Sequence, residues 1–205
     1  NDGTLWQFEH GEWRDSEGGI IEPAVQPKDH SEKGIQSYRF AFYRKEAYKN
    51  FEVDFEFLQK AHSDIGLIFG AKNASNFFVL HFPCCGQACR AQHFWVALSV
   101  MDDSGYLRII KREMINRINS IVSNWHTVNV KLEGGSLQAV IDGRGIFQSA
   151  GLEYSAGFVG VMSFNSAQIR NIEIKGVLEN EFSWNSNISQ PKNWFYPCPA
   201  QEYGK

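Results

Sequence analysis

The stretch Trp125-His-Thr-Val-Asn-Val-Lys-Leu-Glu-Gly-Gly-Ser-Leu-Gln-Ala-Val-Ile-Asp-Gly143 constrains the fold more than any other part of the chain. Apolar residues recur at every second position, through Val128, Val130 and Leu132 and again through Leu137, Ala139 and Ile141. That is the period of strands with one buried face. Gly134-Gly135 joins the two runs and Asp142-Gly143 closes the second. Both pairs tolerate the positive φ that tight hairpin turns require.

The same alternation, punctuated by Gly, Asn, Asp and Ser, runs through most of the chain. Strands are expected at 5–9, 13–22, 37–44, 51–59, 65–71, 77–82, 93–101, 106–112, 125–133, 137–142, 145–149, 158–164 and 168–175. Helical pieces are expected only near 45–48 and 115–121. Aromatic residues make up 14% of the chain and long Leu/Ala/Glu/Lys runs are missing, a balance that suits strands. The reading is all-β: a jelly-roll sandwich of two antiparallel sheets, with 205 residues sufficient for one main domain. The sandwich is expected over 1–176, followed by an aromatic, Pro-containing tail over 177–205 that packs on it or leads into a further domain.

Charge carries little message. The formal net charge is -3, and Lys and Arg are scattered, which argues against a nucleic-acid partner. No apolar run approaches the roughly 20 residues that span a bilayer, so no membrane span is expected. The chain starts at Asn1 rather than Met, as expected of a mature or trimmed segment.

Alternation also sorts the polar residues by face. Phe51, Val53, Phe55 and Phe57 point one way, and Glu52, Asp54 and Glu56 the other. Before them, Tyr38, Phe40 and Phe42 are placed toward the core, leaving Arg39, Ala41 and Tyr43 on the opposite side. Later, Phe94, Val96, Leu98 and Val100 read as inward, with His93, Trp95 and Ser99 outward and His81 on the strand before them. A sheet face carrying Arg39, Tyr43, Asp54, Glu56, His81, His93 and Trp95 has the chemistry of a sugar site. Rings stack on the apolar faces of sugars while charged planar groups take the hydroxyls. The alternative is a glycoside hydrolase with Asp54 and Glu56 as its carboxylate pair, since alternate strand positions lie about 6.5 to 7 Å apart. A third reading makes the face a docking surface for a neighbouring catalytic domain.

Cys84, Cys85, Cys89 and Cys198 are the four cysteines. Adjacent cysteines rarely bond each other, so one of Cys84 and Cys85 is expected to pair with Cys89 and the other with Cys198, pinning the tail. A zinc site made by this loop with His81 and His93 is the rival, its ligand types right but its spacing matching no finger. His126 is read as an inward or edge histidine, and Asn73-Ala-Ser75 and Asn187-Ile-Ser189 match glycosylation sequons.

The order Asn50-Phe-Glu-Val-Asp-Phe-Glu, Ile65-Gly-Leu-Ile-Phe-Gly-Ala, Asn76-Phe-Phe-Val-Leu, Trp125-His-x-Val-x-Val, Val140-Ile-Asp-Gly, Gly157-Phe-Val-Gly-Val and Ile169-Arg-Asn-Ile-Glu-Ile resembles the concanavalin A-like jelly rolls. Among them it is most similar to the DUF1080, or 3-keto-disaccharide hydrolase, type and to the related fructan-binding modules, over residues 4–176. Where those proteins frequently read Asn-Ser-Gly-Ile-x-x-Arg, this chain has Ser63-Asp-Ile-Gly-Leu-Ile-Phe, and the Cys-Cys-Gly loop is an addition. The resemblance implies a secreted or periplasmic bacterial domain with a glycan as partner. It implies attachment to a glycoside hydrolase, with the C-terminal tail leading into a domain such as a sialidase-like propeller. The missing Asn and Arg argue against hydrolase activity in this domain, and the first reading is a non-catalytic carbohydrate-binding accessory domain. No cofactor is required, and a structural calcium ion in the loops is compatible with the family.

Overall fold

The computed structural model describes residues 6–9, 12–16, 20–24, 39–59, 63–82, 93–102, 107–116, 124–164, 167–180 and 182–184. They form thirteen strands: β1 (Trp6–Glu9), β2 (Glu12–Ser16), β3 (Ile20–Ala24), β4 (Arg39–Leu58), β5 (Asp64–Asn73), β6 (Asn76–Phe82), β7 (His93–Met101), β8 (Leu107–Asn116), β9 (Trp125–Glu133), β10 (Ser136–Ile141), β11 (Arg144–Ser149), β12 (Gly157–Phe164) and β13 (Gln168–Leu178). Every pairing is antiparallel. Among the described residues no helix is long and apolar enough to cross a membrane.

The 20-residue strand β4 organises the sandwich. Its first half pairs with β1 and β12, and the ladder continues through β5, β6 and β7 to the edge strand β8. Its second half pairs with β9, which leads to β10 and β11, and on the other side with β13, which joins β3 and β2. One strand therefore serves both layers. The expected turn near 45–48 is not helical: the ladder shifts register there, between the pairs Val159↔Tyr43 and Phe158↔Ala47. A second shift separates Val177↔Asn50 from Leu178↔Tyr48. The first inserts Arg44, Lys45 and Glu46 and the second Lys49; such insertions bend the strand and sharpen its twist, and the two together let it leave one layer and enter the other.

The layers enclose one core. Phe51 meets Phe69 at a ring-centroid distance of 5.6 Å and Phe57 stacks on Phe82 at 5.7 Å, each pair joining the two sheets. Val53, Leu67, Leu80, Leu98, Val130, Leu132 and Val161 complete it, all fully buried. Four residues read by alternation fall the other way round. Ala41 and Tyr43 face this core, whereas Phe40 and Phe42 lie on the outward side of the first layer. There they join Ile68, Phe77, Val79, Met101 and Met162 in a second apolar layer. Both sides of β4 are buried in this half, so alternation marks two faces without telling which is the interior. Part of that second layer is covered by the start of the tail. Trp184 packs on Phe42 at 5.0 Å and Phe158 at 5.6 Å, and Phe182 meets Phe158 at 5.3 Å.

The hairpin turns form as their residues require. Gly134 and Gly135 have φ of 56° and 77°, Asp142 and Gly143 of 49° and 74°. The expected single strand over 13–22 is instead the hairpin β2–β3. Ile115 and Asn116 belong to the end of β8 rather than opening a helix, and 117–121 lie outside the described residues. Asn73 of the first sequon is buried and caps its own turn, accepting from the Ser75 backbone N–H at 2.7 Å, so the folded chain withholds it from a glycosyl donor.

At Gly157 the β12 backbone passes so close to β5 that a Cβ would lie 2.4 Å from the Gly70 carbonyl carbon. Gly157→Ala is expected to cost about 1–3 kcal/mol through forced separation of the two strands. Urea unfolding followed by tryptophan fluorescence reads it, and an unchanged midpoint would show that this approach is not constraining.

Candidate functional site

The outward face of the second layer is a polar ladder. Register sets Glu52, Asp54 and Glu56 of β4 opposite Lys131, Asn129 and Thr127 of β9, and opposite Lys175, Glu173 and Arg170 of β13. Asn129 Nδ2 donates to Glu52 Oε1 and to Asp54 Oδ1, at 2.8 Å each. Glu56 Oε2 accepts from Arg170 Nε at 2.7 Å and Nη2 at 2.6 Å, and its Oε1 from Asn171 Nδ2 at 2.8 Å. The Arg170 guanidinium also lies 3.8 Å from the Trp125 ring centre, a cation–π contact. The hydrogen bonds from Asn171 and Arg170 hold the Glu56 carboxyl below the ordinary carboxylate range. Lys131 and Glu133, at 2.8 Å, and Lys175 and Glu173, at 3.1 Å, continue the pairing. A shallow cleft of about 330 Å³ opens beside Asp54, Glu56, Asn129 and Asn171. The carboxylates are thus met by donors from their own sheet.

The outward face of the first layer is different in kind. His81 of β6 pairs with Gly66 of β5 and with Ala97 of β7, which pairs with Arg112 of β8. Trp95 lies one pleat further along, and the Arg112 guanidinium stands 5.2 Å from its ring centre. Ser99 Oγ lies 3.5 Å from His81 Nε2. Gly66 makes room for the imidazole: a Cβ there would lie 2.8 Å from His81 Cβ and 2.7 Å from Val79 Cγ2. On the side of a strand that alternation assigns to solvent, His81 and Ser99 are fully buried, and Asp64, at the same end of the face, is 8% exposed. Burial drives the His81 pKa from the ordinary 6.5 down to about 3, so the ring is neutral. A buried titratable group beside a part-exposed tryptophan is the pattern of a site rather than of a solvated sheet face.

The seven residues read together as a sugar surface divide among three places. Trp95 and His81 share the outward face of the first layer. Asp54 and Glu56 lie on the outward face of the second layer, across the sandwich. Tyr43 packs against the interior and meets Trp6 at 5.6 Å, and Arg39, on the same side of β4, is buried at the end of the strand. Strand alternation gives parity within a strand; it does not say to which layer a face belongs. The His93 side chain and all four cysteines lie outside the described residues, and with them both disulfide schemes and the zinc alternative. Among the described residues no three His, Cys, Asp or Glu side chains group to hold a metal ion.

Arg112, Asp64, Arg170, Asn129 and Asn171 escaped the sequence reading. Arg170 and Asn171 meet Glu56 across 114 and 115 residues of chain, on a strand bulged between Arg170 and Glu173. His126 is inward as read, 5% exposed against Phe57, with Nδ1 2.6 Å from Asp142 Oδ2. Asp142 Oδ1 accepts from the Thr127 backbone N–H at 3.0 Å, which ties the closing turn to β9.

No family model matches the sequence, and no curated protein matches it. Solved structures do match in fold. The carbohydrate-binding module CBM66 from Bacillus subtilis superposes with a TM-score of 0.65 at 14% identity, covering 85% of this chain and 98% of that one. A protein of unknown function with a galectin-like fold, also from Bacillus subtilis, gives 0.62 at 13% identity, covering 85% and 90%. A glycoside hydrolase family 16 endo-glucanase from Bacteroides ovatus gives 0.56 at 12% identity, covering 85% and 96%. The fold is a concanavalin A-like jelly roll. These likenesses are of fold and do not single out the 3-keto-disaccharide hydrolase type.

Two acid-sensitive groups separate by pH. His81 has a lowered pKa, so its share of stability is present above 6.5 and declines as pH falls toward about 3. Burial works to raise the Asp142 pKa, but the hydrogen bonds from His126 and Thr127 outweigh it and lower it, so that share is lost only below the ordinary carboxyl value of about 3.9. Urea midpoints measured from pH 8 to 3 should fall below pH 6.5, and Asp142→Asn, which tolerates the left-handed turn, should lower the midpoint at neutral pH and approach the wild type only at the most acid end of the curve. A wild-type midpoint flat to pH 4 would contradict the burial of a neutral His81.

Proposed function

We propose that this chain is a non-catalytic carbohydrate-binding jelly roll that takes its glycan on the outward face of the first layer, at Trp95 and Arg112, with the buried His81 packed into the sheet behind them. The observation that carries the reading is the part-exposed Trp95 ring with the exposed Arg112 guanidinium 5.2 Å from its centre, on a face otherwise largely buried. Trp95 offers a ring for stacking on the apolar face of a pyranose or furanose. Arg112, whose guanidinium lies over one face of that ring, supplies donors to hydroxyls while the opposite face is left for the sugar. A pKa of about 3 keeps the buried His81 ring neutral throughout the physiological range, so it packs behind this face without placing a charge there. The fold likeness to a carbohydrate-binding module and to a galectin-like protein supports the ligand class.

The proposal includes the setting that the motif resemblance implies. The chain is a module of the 3-keto-disaccharide hydrolase type, related to fructan-binding modules, exported by a bacterium and accessory to a catalytic domain that degrades glycans.

Catalysis by the paired carboxylates is the weaker reading. A glycosidase needs one carboxyl that keeps its proton near neutral pH. Glu56 is held deprotonated by Asn171 and Arg170, and Asp54 already accepts from Asn129.

A glycan array run with and without calcium, followed by a product assay on each hit, tests both readings. Trp95→Ala is expected to lower affinity at least tenfold, about 1.4 kcal/mol, with an unchanged unfolding midpoint, while Glu56→Gln leaves binding intact. Unchanged affinity in Trp95→Ala would remove the site assignment, and product formation lost in Glu56→Gln would promote the hydrolase.

A further inference from the structure

A second concavity opens at the end of the sandwich where β4 passes between the layers. It is an open cleft of about 790 Å³, large enough for one or two sugar rings at its surface. Lys49 and Asn50 of β4, Lys72 of β5, Glu153 and Tyr154 of the segment before β12, and Glu179 after β13 line it. Lys72 lies six residues along β5 from Gly66, the partner of His81, which places this cleft roughly 20 Å from the Trp95 face.

The walls are fixed by the chain itself. Asn50 Oδ1 accepts from the Gly134 backbone N–H at 3.1 Å, and Gly135 O accepts from the Leu152 N–H at 3.0 Å. Gly135, at φ 77°, is packed so closely on that segment that a Cβ would lie 2.9 Å from Leu152 O. The β9–β10 turn, β4 and the 152–156 segment are therefore tied together around the opening, and a ligand would not have to order them.

The charges inside are unlike those of the polar ladder. There, lysine and arginine pair with the neighbouring carboxylates. Here Lys49, Lys72, Glu153 and Glu179 make no ion pair among the described residues, although all four line one cleft. Tyr154 adds a part-exposed ring whose hydroxyl is buried without a hydrogen-bond partner. Two cations and two anions, interleaved with the Asn50 amide, match a ligand whose groups both donate and accept. Sugar hydroxyls do both. A uronate or phosphate would gain the lysines but meet the glutamates.

We infer that this cleft, formed by Lys49, Asn50, Lys72, Glu153, Tyr154 and Glu179, is a second glycan site, selective for neutral, hydroxyl-rich saccharides over acidic ones. The inference rests on the carbohydrate reading for its ligand class, but its location is independent of Trp95.

Amide-resolved NMR titration of the 205-residue chain tests it, with fructo-, cello- and galacto-oligosaccharides and an oligogalacturonate as probes. At least one neutral probe should shift the Gly134, Gly135 and Ser155 amides, and should still do so in Trp95→Ala. The Lys49→Ala/Lys72→Ala double variant should bind at this cleft about tenfold more weakly. Shifts confined to Ala97 and Ser99 would overturn the second site and leave the first. Shifts confined to the cleft would support it and overturn the Trp95 site. Tighter binding of oligogalacturonate here would overturn the neutral selectivity, and silence with every probe would overturn both proposals.

Discussion

Everything in this molecule depends on β4 running through both layers. A strand that stays in one sheet has one inward set of side chains. This one changes sheets between Tyr43 and Phe51, and needs two register shifts to do so. With those bulges in place, Ala41 and Tyr43 before the crossing and Phe51, Val53, Phe55 and Phe57 after it all face the same interior. Phe51 and Phe57 then meet Phe69 and Phe82 of the opposing layer. The crossing also bears Lys49 and Asn50, so the end cleft is a direct consequence of how the two sheets are joined.

The two outward faces illustrate how one alternating pattern yields opposite environments. On the second layer, acids and bases from three strands hydrogen-bond one another at the surface, at little net cost in stability and little gain. The clamp on Glu56, with three donors to one carboxylate, keeps that group charged and occupied. On the first layer, the outward side chains are largely apolar and buried, and the polar exceptions collect at one end around His81. Desolvating an imidazole is unfavourable for its charged form, and the fold retains it there as a neutral group. Phe182 and Trp184 shield the other end of this face, with Arg44 stacked 4.8 Å from the Trp184 ring. The face is thereby divided into a closed aromatic half and a half that carries Trp95.

Much of the fold was legible. The hairpin turns at Gly134-Gly135 and Asp142-Gly143, the inward sets of β9, β10 and the second half of β4, and the inward His126 all follow from period and turn chemistry. The candidate site was legible only in part. Trp95 and His81 fall on one face as read, because they are outward on adjacent strands. Arg39 and Tyr43 were misplaced because both faces of their strand are apolar and buried, which removes the contrast that alternation relies on. Arg112 was passed over because β8 carries a bulge opposite Leu98 and Ser99, so its faces cannot be read by counting twos.

The sequence by itself determined the class of structure: strands of period two, turns of residues that accept positive φ, and enough aromatic bulk to fill a sandwich. These are local properties, set by each residue and its neighbours in the chain. Only the tertiary structure decided which polar groups share a face. It carried Asp54 and Glu56 to one side and His81 and Trp95 to the other, and it brought Arg170 to Glu56 from 114 residues away. Strand order, layer and bulge position arise from the packing of the whole core, and no local pattern encodes them.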